Sequence, residues 1–267
     1  MTGFSFVGVL FTTVDLWNNW LKNVAVLFFV LFYVMAVYFL NSFADYESDI
    51  KSKRLKIIGS ISKSKYISLF VIFCILFSSL AIYINVKAFV FSASAMALWS
   101  LYYLPPLRLK SSYLIGTIIH FVAGILHFHS GYCSYADYSQ SSFAVSVYFA
   151  LLLSIGHFHH ELMDYESDKA AGNRTTAVRI GIDKIHYLRT GLTLLTLIYW
   201  IALFFRGYTS KTELCVFLIP TAVLLILSFA LRQNEVKRFQ KISRTIFLVA
   251  GLFLLGIKVI ALAKNYF

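Results

Sequence analysis

The sequence predicts an all-α fold, that of a polytopic membrane protein. Its 267 residues are 59% hydrophobic and only 13% charged, with a mean hydropathy of +0.75. The apolar residues are gathered into repeated runs of about 20, the length a helix needs to cross a hydrocarbon core about 30 Å thick. A soluble core of this size has no need of such runs. Fold class and membrane location therefore follow from the same observation.

Eight of these runs are long enough to cross a membrane as helices. A ninth candidate, residues 3–16, is weaker, because a helix of that length reaches only about 21 Å. No extramembrane domain is visible between the runs, so we expect one transmembrane domain over residues 1–267. The eight runs are approximately residues 22–40, 66–84, 87–104, 113–131, 142–160, 186–205, 213–231 and 244–262.

The basic residues predict the orientation of the chain. Seventeen of the 24 Lys and Arg residues fall in the alternate connections 41–65, 105–112, 161–185 and 232–244, and six fall on the other side. Positive residues favour the cytoplasmic side, so we expect these four connections to be cytoplasmic, as in a multi-pass protein of the plasma (inner) membrane. The net charge of +12 forms no continuous basic stripe, which argues against binding of nucleic acid.

One pentapeptide, Asp-Tyr-Glu-Ser-Asp, occurs twice, at residues 45–49 and 164–168, each time at the end of an apolar run. Seven of the 12 acidic residues lie in or beside the two copies. Four spans separate the copies, so both motif helices point the same way. This arrangement predicts a parallel internal repeat, with halves of about 1–112 and 113–267, in which the two acidic clusters can face each other across one cavity.

Helical spacing places each set of acidic residues on one face of its helix. The members of each set fall within about 80° of one another, whereas Glu47 and Glu166 point away. Hard cations such as Mg²⁺ prefer a few carboxylates supplemented by phosphate oxygens and water. We therefore expect a magnesium site formed by two sets of residues, the first being Asn41, Asp45 and Asp49, and the second Glu161, Asp164 and Asp168.

Basic residues accompany both acidic sets. Arg108 and Lys110 follow the Pro105-Pro106 turn, and Lys169 and Arg174 follow the second pentapeptide. Arg offers phosphate a planar fork of donors and Lys a compact charge. Together these residues predict a diphosphate site at the mouth of an apolar cavity. Two simpler interpretations remain open: the acidic residues could be solvated helix ends, and the basic residues could serve only to set the membrane topology.

Two other function classes can be weighed from the residues. The cluster of His157, His159 and His160 beside Glu161 resembles part of a membrane di-iron site, but such a site needs more His-rich motifs than this chain has. Packed or hydrogen-bonded histidines are expected instead. An ion transporter is disfavoured because the acidic residues lie at one membrane face and the spans carry almost no ionisable residue at mid-depth.

These motifs resemble those of the UbiA-type intramembrane prenyltransferases. The first family motif, Asn-Asp-x-x-Asp-x-x-x-Asp, corresponds here to Asn41, Ser42, Asp45 and Asp49, with Ser42 replacing a carboxylate. The second, Asp-x-x-Asp-x-x-x-Asp, corresponds to Glu161, Asp164 and Asp168. The segments 101–110 (LYYLPPLRLK) and 164–181 (DYESDKAAGNRTTAVRIG) are also similar to the family. The resemblance covers roughly residues 22–262.

The resemblance implies about nine helices around a central cavity that opens laterally to lipid. It implies Mg²⁺ as cofactor, a polyprenyl diphosphate donor, and a lipophilic or aromatic acceptor of the quinone-precursor type. Diphosphate is then released. The implied catalytic residues are Asp45, Asp49, Glu161, Asp164 and Asp168; the metal ligands are Asn41, Asp45, Asp49, Asp164 and Asp168; and the diphosphate ligands are Arg108, Lys110, Lys169 and Arg174.

Two related enzymes remain open at this point. A UbiA-type terpene cyclase would ionise the same diphosphate and capture the cation within the substrate. A transferase could also act on another diphosphate-activated group, such as phosphoribosyl. The sequence does not identify the acceptor or the length of the prenyl chain.

Overall fold

The computed structural model describes residues 3–12, 19–51, 61–230 and 235–263, and all regular structure in these ranges is helical. A short 3₁₀ turn at Leu109–Ser111 accompanies ten α-helices. In chain order these are α1 (Gly3–Leu10), α2 (Trp20–Lys51), α3 (Lys63–Ile84), α4 (Val86–Tyr103), α5 (Ile115–Tyr132), α6 (Gln140–Ala170), α7 (Thr176–Ile180), α8 (Ile182–Phe205), α9 (Lys211–Ala230) and α10 (Val236–Ala263).

The helices follow the apolar runs of the sequence. Each of the eight predicted spans corresponds to one helix, from α2 to α6 and from α8 to α10. The weaker candidate, 3–16, is helical only over Gly3–Leu10, and its last residues lie outside the described ranges. Six described helices (α2, α3, α6, α8, α9 and α10) are long and apolar enough to cross a membrane. Their outward faces expose large apolar side chains, including Ile75, Ile198, Phe229 and Leu252. The chain is an integral membrane protein.

The chain divides into two compact units. The first contains residues 2–109 and 126–136, and the second contains residues 110–125 and 137–267. The first acidic motif therefore lies in the first unit and the second motif in the second. The two units are defined by contacts in the structure, whereas the predicted repeat boundary near residue 112 is based on the repeated sequence motif. That boundary therefore stays a prediction.

In the first unit, α2 packs along α3 and α4. The short α1 packs closely against the end of α5, because two glycines remove the side chains that would separate them. A Cβ atom on Gly131 would lie 1.7 Å from the carbonyl oxygen of Ser5, and one on Gly8 would lie 2.0 Å from that of Phe128. The hydroxyl groups of Ser5 and Ser130 are 2.9 Å apart in the same contact. The first helix is thus anchored despite its length.

In the second unit, α6 packs against α8, which in turn packs against α9, and α9 against α10. The aromatic side chains of Tyr148, Trp200 and Phe217 form the centre of this packing, with ring centroids 4.1 to 6.1 Å apart. The Tyr148 hydroxyl group lies 2.6 Å from Thr221 Oγ1, so its polar end is satisfied. These core contacts therefore fix the position of α6, the helix whose last turns carry the second acidic motif.

The two acidic motifs lie on the two longest helices. The 32 residues of α2 and the 31 of α6 span about 48 and 46 Å, well beyond the hydrocarbon thickness. Our expectation of long connections over 41–65 and 161–185 was wrong in detail, because the helices continue through the motifs to Lys51 and Ala170. No Gly or Pro interrupts either motif, so nothing in it ends the helix.

Candidate functional site

The first acidic cluster lies on the last turns of α2. Asn41 and Asp45 are partly buried on one face of the helix, while the side chain of Asp49 lies outside the described part of the structure. Glu47 points away with 75% of its side chain exposed, and it accepts a 2.7 Å hydrogen bond from Lys63. The prediction that Glu47 faces outward is therefore confirmed. The partly buried face is left to Asn41 and Asp45.

Arg108 approaches this cluster from the turn after α4. Its Nη2 atom lies 4.0 Å from Asp45 Oδ1, so the two charges interact. The backbone of Arg108 has a φ of 38°, which is rare for a residue with a side chain. Such conformations cost of order 1–3 kcal/mol and persist where the surrounding structure enforces them. Here the strained backbone belongs to the residue whose guanidinium faces Asp45.

Farther from the motif, the first unit contains a buried polar cluster that the sequence did not predict in detail. Trp99 Nε1 donates to His127 Nε2 at 2.9 Å, and Tyr33 Oη lies 2.9 Å from His127 Nδ1. An indole N–H can only donate, so Nε2 must be the acceptor, and the proton of a neutral ring must be on Nδ1. His127 is therefore a neutral imidazole of fixed tautomer, as the expectation of packed, hydrogen-bonded histidines requires.

The second acidic cluster lies at the end of α6, and its three carboxylates have different surroundings. Glu161 is 5% exposed and accepts hydrogen bonds from the backbone N–H groups of Thr176 at 3.2 Å and Ala177 at 2.9 Å. His157 Nε2 lies 3.1 Å from the same carboxylate. Asp164 and Asp168 are partly buried. Glu161 thus anchors the first turn of α7, while the two Asp residues occupy the end of the helix.

Asp168 is held by the turn that ends α6. Gly172 adopts a φ of 70°, and the backbone N–H groups of Gly172 and Asn173 donate to the carbonyl oxygens of Lys169 and Asp168, as in a Schellman motif. The Asn173 side chain also donates to Asp168 Oδ1 at 2.8 Å. Lys110 is close enough to interact electrostatically with Asp168. The carboxylate of Asp168 is therefore fixed in direction by the residues around it.

Two segments lie side by side next to this cluster. The backbone N–H of Arg174 donates to Ser111 O at 3.1 Å, and that of Leu114 donates to Thr176 Oγ1 at 3.3 Å. The predicted diphosphate ligands Lys110 and Arg174 belong to these two segments, and Arg174 is exposed at the surface. Lys169 is exposed as well, with its ammonium group 5.7 Å from the ring of Tyr165. The second unit therefore brings basic residues and carboxylates to one end of α6.

The donor set suits a metal ion that is shared with a phosphate group. Among the described residues, no group of three or more His, Cys, Asp or Glu side chains converges to hold a metal by itself. Mg²⁺ does not need such a group, because it is commonly bound by one or two carboxylates together with phosphate oxygens and water. Asp168, with its direction fixed by Asn173, and Asp45, partly buried beside Arg108, fit this role.

A family model described as the UbiA prenyltransferase family matches residues 2–257, nearly the whole chain. The chain belongs to the UbiA prenyltransferase family. No curated protein matches this UbiA chain. The solved structures that it resembles are UbiA proteins as well, which agrees with the fold described above.

Three of these structures illustrate the likeness. A UbiA homologue from Archaeoglobus fulgidus bound to GPP and Mg²⁺ has a TM-score of 0.73 at 21% identity, over 96% of this chain and 94% of that one. A digeranylgeranylglyceryl phosphate synthase has a TM-score of 0.69 at 20% identity, over 96% and 92%. A homologue from Aeropyrum pernix K1 has a TM-score of 0.66 at 16% identity, over 97% and 95%. At these identities the likeness establishes the UbiA fold.

The sequence-based prediction did not include some of the residues that position the acidic side chains of this UbiA site. Asn173 and the backbone amides of Thr176 and Ala177 contact acidic residues five to 16 positions away, which helical periodicity cannot predict. Gly172 gave a usable signal, since a glycine just after a helix commonly adopts the left-handed conformation that ends it. An Asn directly after that glycine is therefore a candidate partner for the last acidic residue of the helix.

Proposed function

We propose that this UbiA protein transfers a prenyl group from a polyprenyl diphosphate to an acceptor and releases diphosphate, with Mg²⁺ as cofactor. The observation that carries the proposal is the pairing of acidic and basic residues in both units. Arg108 lies beside Asp45 in the first unit. In the second unit, the segments that carry Lys110 and Arg174 lie side by side next to the end of α6 that carries Asp168. Carboxylates that hold a cation, together with basic side chains, provide what a diphosphate leaving group requires.

The solved relatives support the donor class and the cofactor. One structure of the Archaeoglobus fulgidus homologue contains GPP with Mg²⁺, and another contains DMAPP with Mg²⁺. Both ligands are prenyl diphosphates. We propose that the present chain also binds a prenyl diphosphate, because it contains both acidic motifs of the family. The motifs differ from the family pattern at Ser42 and Glu161.

We propose that the oxygen atoms of five residues hold Mg²⁺, which would neutralise the leaving group as the allylic C–O bond breaks. These residues are Asn41, Asp45, Asp49, Asp164 and Asp168. The basic residues bind the diphosphate itself and orient the allylic carbon toward the acceptor; they are Arg108, Lys110, Lys169 and Arg174. Apolar walls exclude water, which would otherwise capture the allylic cation. The electron pair of the broken bond remains on the diphosphate.

The acceptor forms the new bond with the allylic carbon and then loses a proton. Asp164 is a better candidate to receive that proton than Glu161. Glu161 is buried and already accepts two backbone N–H groups, so protonation would weaken both of these hydrogen bonds. We therefore assign Glu161 the role of holding α7, and with it the segment that carries Arg174. An aromatic or quinone-precursor ring is the acceptor that we propose.

The test measures diphosphate release by the purified protein in detergent, with Mg²⁺ and geranylgeranyl diphosphate, with and without a panel of aromatic acceptors. Lipid-extract mass spectrometry identifies the product. Release that depends on one acceptor, together with a prenylated product, supports the transferase. Release without an acceptor, with a cyclised product, would instead identify a terpene cyclase.

Matched variants separate the site from general effects of charge. Asp45→Asn and Asp168→Asn should lower the rate at least a hundredfold. Glu47→Gln and Glu166→Gln make the same kind of change on the exposed faces of the same two helices and should leave it nearly unchanged. Either Asp variant retaining more than a tenth of the wild-type rate would contradict the assignment, as would an equal loss in the Glu variants.

A further inference from the structure

A buried arginine in the second unit lies outside the machinery described above. Arg189 on α8 is only 3% exposed. Its Nη2 atom donates to His186 Nδ1 at 3.1 Å, and its Nη1 atom lies 3.5 Å from His159 Nδ1. The guanidinium carbon lies 4.3 Å from the ring centroid of Phe239. The Nε atom is buried and has no hydrogen-bond partner.

The partners of Arg189 supply no negative charge. Arginine can only donate, so the Nδ1 atom of each His partner must accept, and a ring that accepts at Nδ1 is a neutral imidazole. The His186 ring also interacts with the carboxylate of Asp183 and with the backbone of Ser228. Among the described residues, no carboxylate oxygen lies within 4.0 Å of the Arg189 guanidinium, so Arg189 forms no ion pair there. Charges inside membrane segments are rare and are normally paired, so this one is unusual.

Snorkelling does not account for the position of Arg189. Arginines near a helix end usually extend their side chains to the interface, but this guanidinium is buried against Phe239. Arg189 lies seven residues after the start of α8, so its backbone is about 10 Å along the helix from the end predicted to be cytoplasmic. Arg244 of α10 adds a further positive charge close to His160. The negative charges near these histidines are Asp164, close to His160, and Asp183, close to His186. Neither of them neutralises Arg189, which keeps a buried positive charge between α6, α8 and α10.

We propose that Arg189 binds the phosphate group of an anionic ligand, and that this ligand is the headgroup of an anionic phospholipid held between α6, α8 and α10. The free Nε–H, together with an N–H of Nη2, provides the edge with which arginine binds phosphate through two parallel hydrogen bonds. His186, the least buried of the neighbours, covers the side from which a headgroup enters. Basic sites between transmembrane helices commonly hold such headgroups. The proposal is independent of prenyl transfer.

The test measures the thermal unfolding of delipidated protein in neutral detergent with three probes. Dioleoyl phosphatidylglycerol carries the anionic phosphate and the tails, dioleoylglycerol carries the tails alone, and inorganic phosphate carries the anion alone. The expected result is a rise of several degrees in the midpoint with phosphatidylglycerol and little change with dioleoylglycerol. An equal rise with inorganic phosphate would assign the site to a soluble phosphate and overturn the lipid assignment.

Variants test whether Arg189 is responsible. Arg189→Gln should abolish the rise, and Arg189→Lys, which keeps the charge but loses the fork, should lose at least half of it. Lys184→Gln removes an exposed charge from the same end of α8 and should keep the full rise. A rise in Arg189→Gln equal to that of the wild type would overturn the proposal.

Hydrogen exchange of the wild-type protein keeps the test decisive even if Arg189→Gln does not fold. Phosphatidylglycerol should slow amide exchange over residues 182–192, whereas dioleoylglycerol should not. No change in exchange with any of the three probes would also overturn the proposal. Because these measurements use no prenyl substrate, their failure would not bear on the proposed transferase activity.

Discussion

Asn173 contacts Asp168 twice: its side chain donates to Oδ1 at 2.8 Å, and its backbone N–H donates to the carbonyl oxygen at 2.9 Å. The backbone contact ends α6, and the side-chain contact sets the direction of the carboxylate. A residue outside the pentapeptide thus determines how the last acidic residue of the motif is presented.

Replacing Asn173 with Ala should impair substrate binding without unfolding the protein. Loss of a hydrogen bond to a charged group predicts a decrease of about tenfold in kcat/KM and a higher Mg²⁺ concentration for half-maximal rate. The backbone contact remains in the variant. Ser167→Ala removes an exposed side chain that bonds only to the backbone of Asp164, and it is the control. Steady-state kinetics at varied Mg²⁺ measure both effects, and an unchanged Mg²⁺ dependence would refute the positioning role.

Glu161→Gln distinguishes an anchor from a proton acceptor. If Glu161 anchors α7, the variant should be less stable by about 1–3 kcal/mol, because a buried N–H loses its charged acceptor. Its activity should fall moderately, and the pH–rate profile should keep its acidic limb. Loss of a general base would instead lower kcat by about 10²–10⁴ and remove that limb. Glu166→Gln, exposed on the same helix, should change neither property.

Trp99→Phe should destabilise the protein by removing the indole N–H that donates to the buried His127 Nε2 in the first unit. A buried acceptor without a partner costs about 1–3 kcal/mol. Trp20→Phe makes the same change at a side chain that is 60% exposed and should cost much less. Denaturant unfolding in mild detergent gives both values. Equal losses in the two variants would mean that ring size, not the hydrogen bond, determines the effect.

Gly131→Ala should destabilise the contact between α1 and α5. The added Cβ atom would lie 1.7 Å from Ser5 O, which is backbone and can move only with its helix. Overpacking of this kind costs about 1–3 kcal/mol. Gly191→Ala in α8 meets nothing within 4 Å and should be neutral or stabilising by up to about 1 kcal/mol. Thermal unfolding compares them, and a neutral Gly131→Ala would show that α1 is loosely held.

Much of the fold could be predicted because helices that cross a membrane need long apolar runs, and those runs are read directly from the chain. The outward orientation of Glu47 and Glu166 could also be predicted, since it depends only on helical periodicity. The role of Glu161 could not. Its face on α6 was predicted, but its partners are backbone amides 15 and 16 residues later, which depend on the turn at Gly172.

The lengths of α2 and α6 have a consequence for how a substrate arrives. At about 48 and 46 Å, both helices exceed the hydrocarbon core by more than 15 Å, so their acidic ends extend into the layer of lipid headgroups. A prenyl diphosphate anchored in the bilayer already has its charged end in that layer. It can meet the carboxylates by diffusing within the plane of the membrane, without leaving the lipid. For the proposed transferase, the occupancy of the donor site is therefore set by the mole fraction of donor in the bilayer. Diluting the donor with inert lipid at constant bulk concentration should slow the reaction.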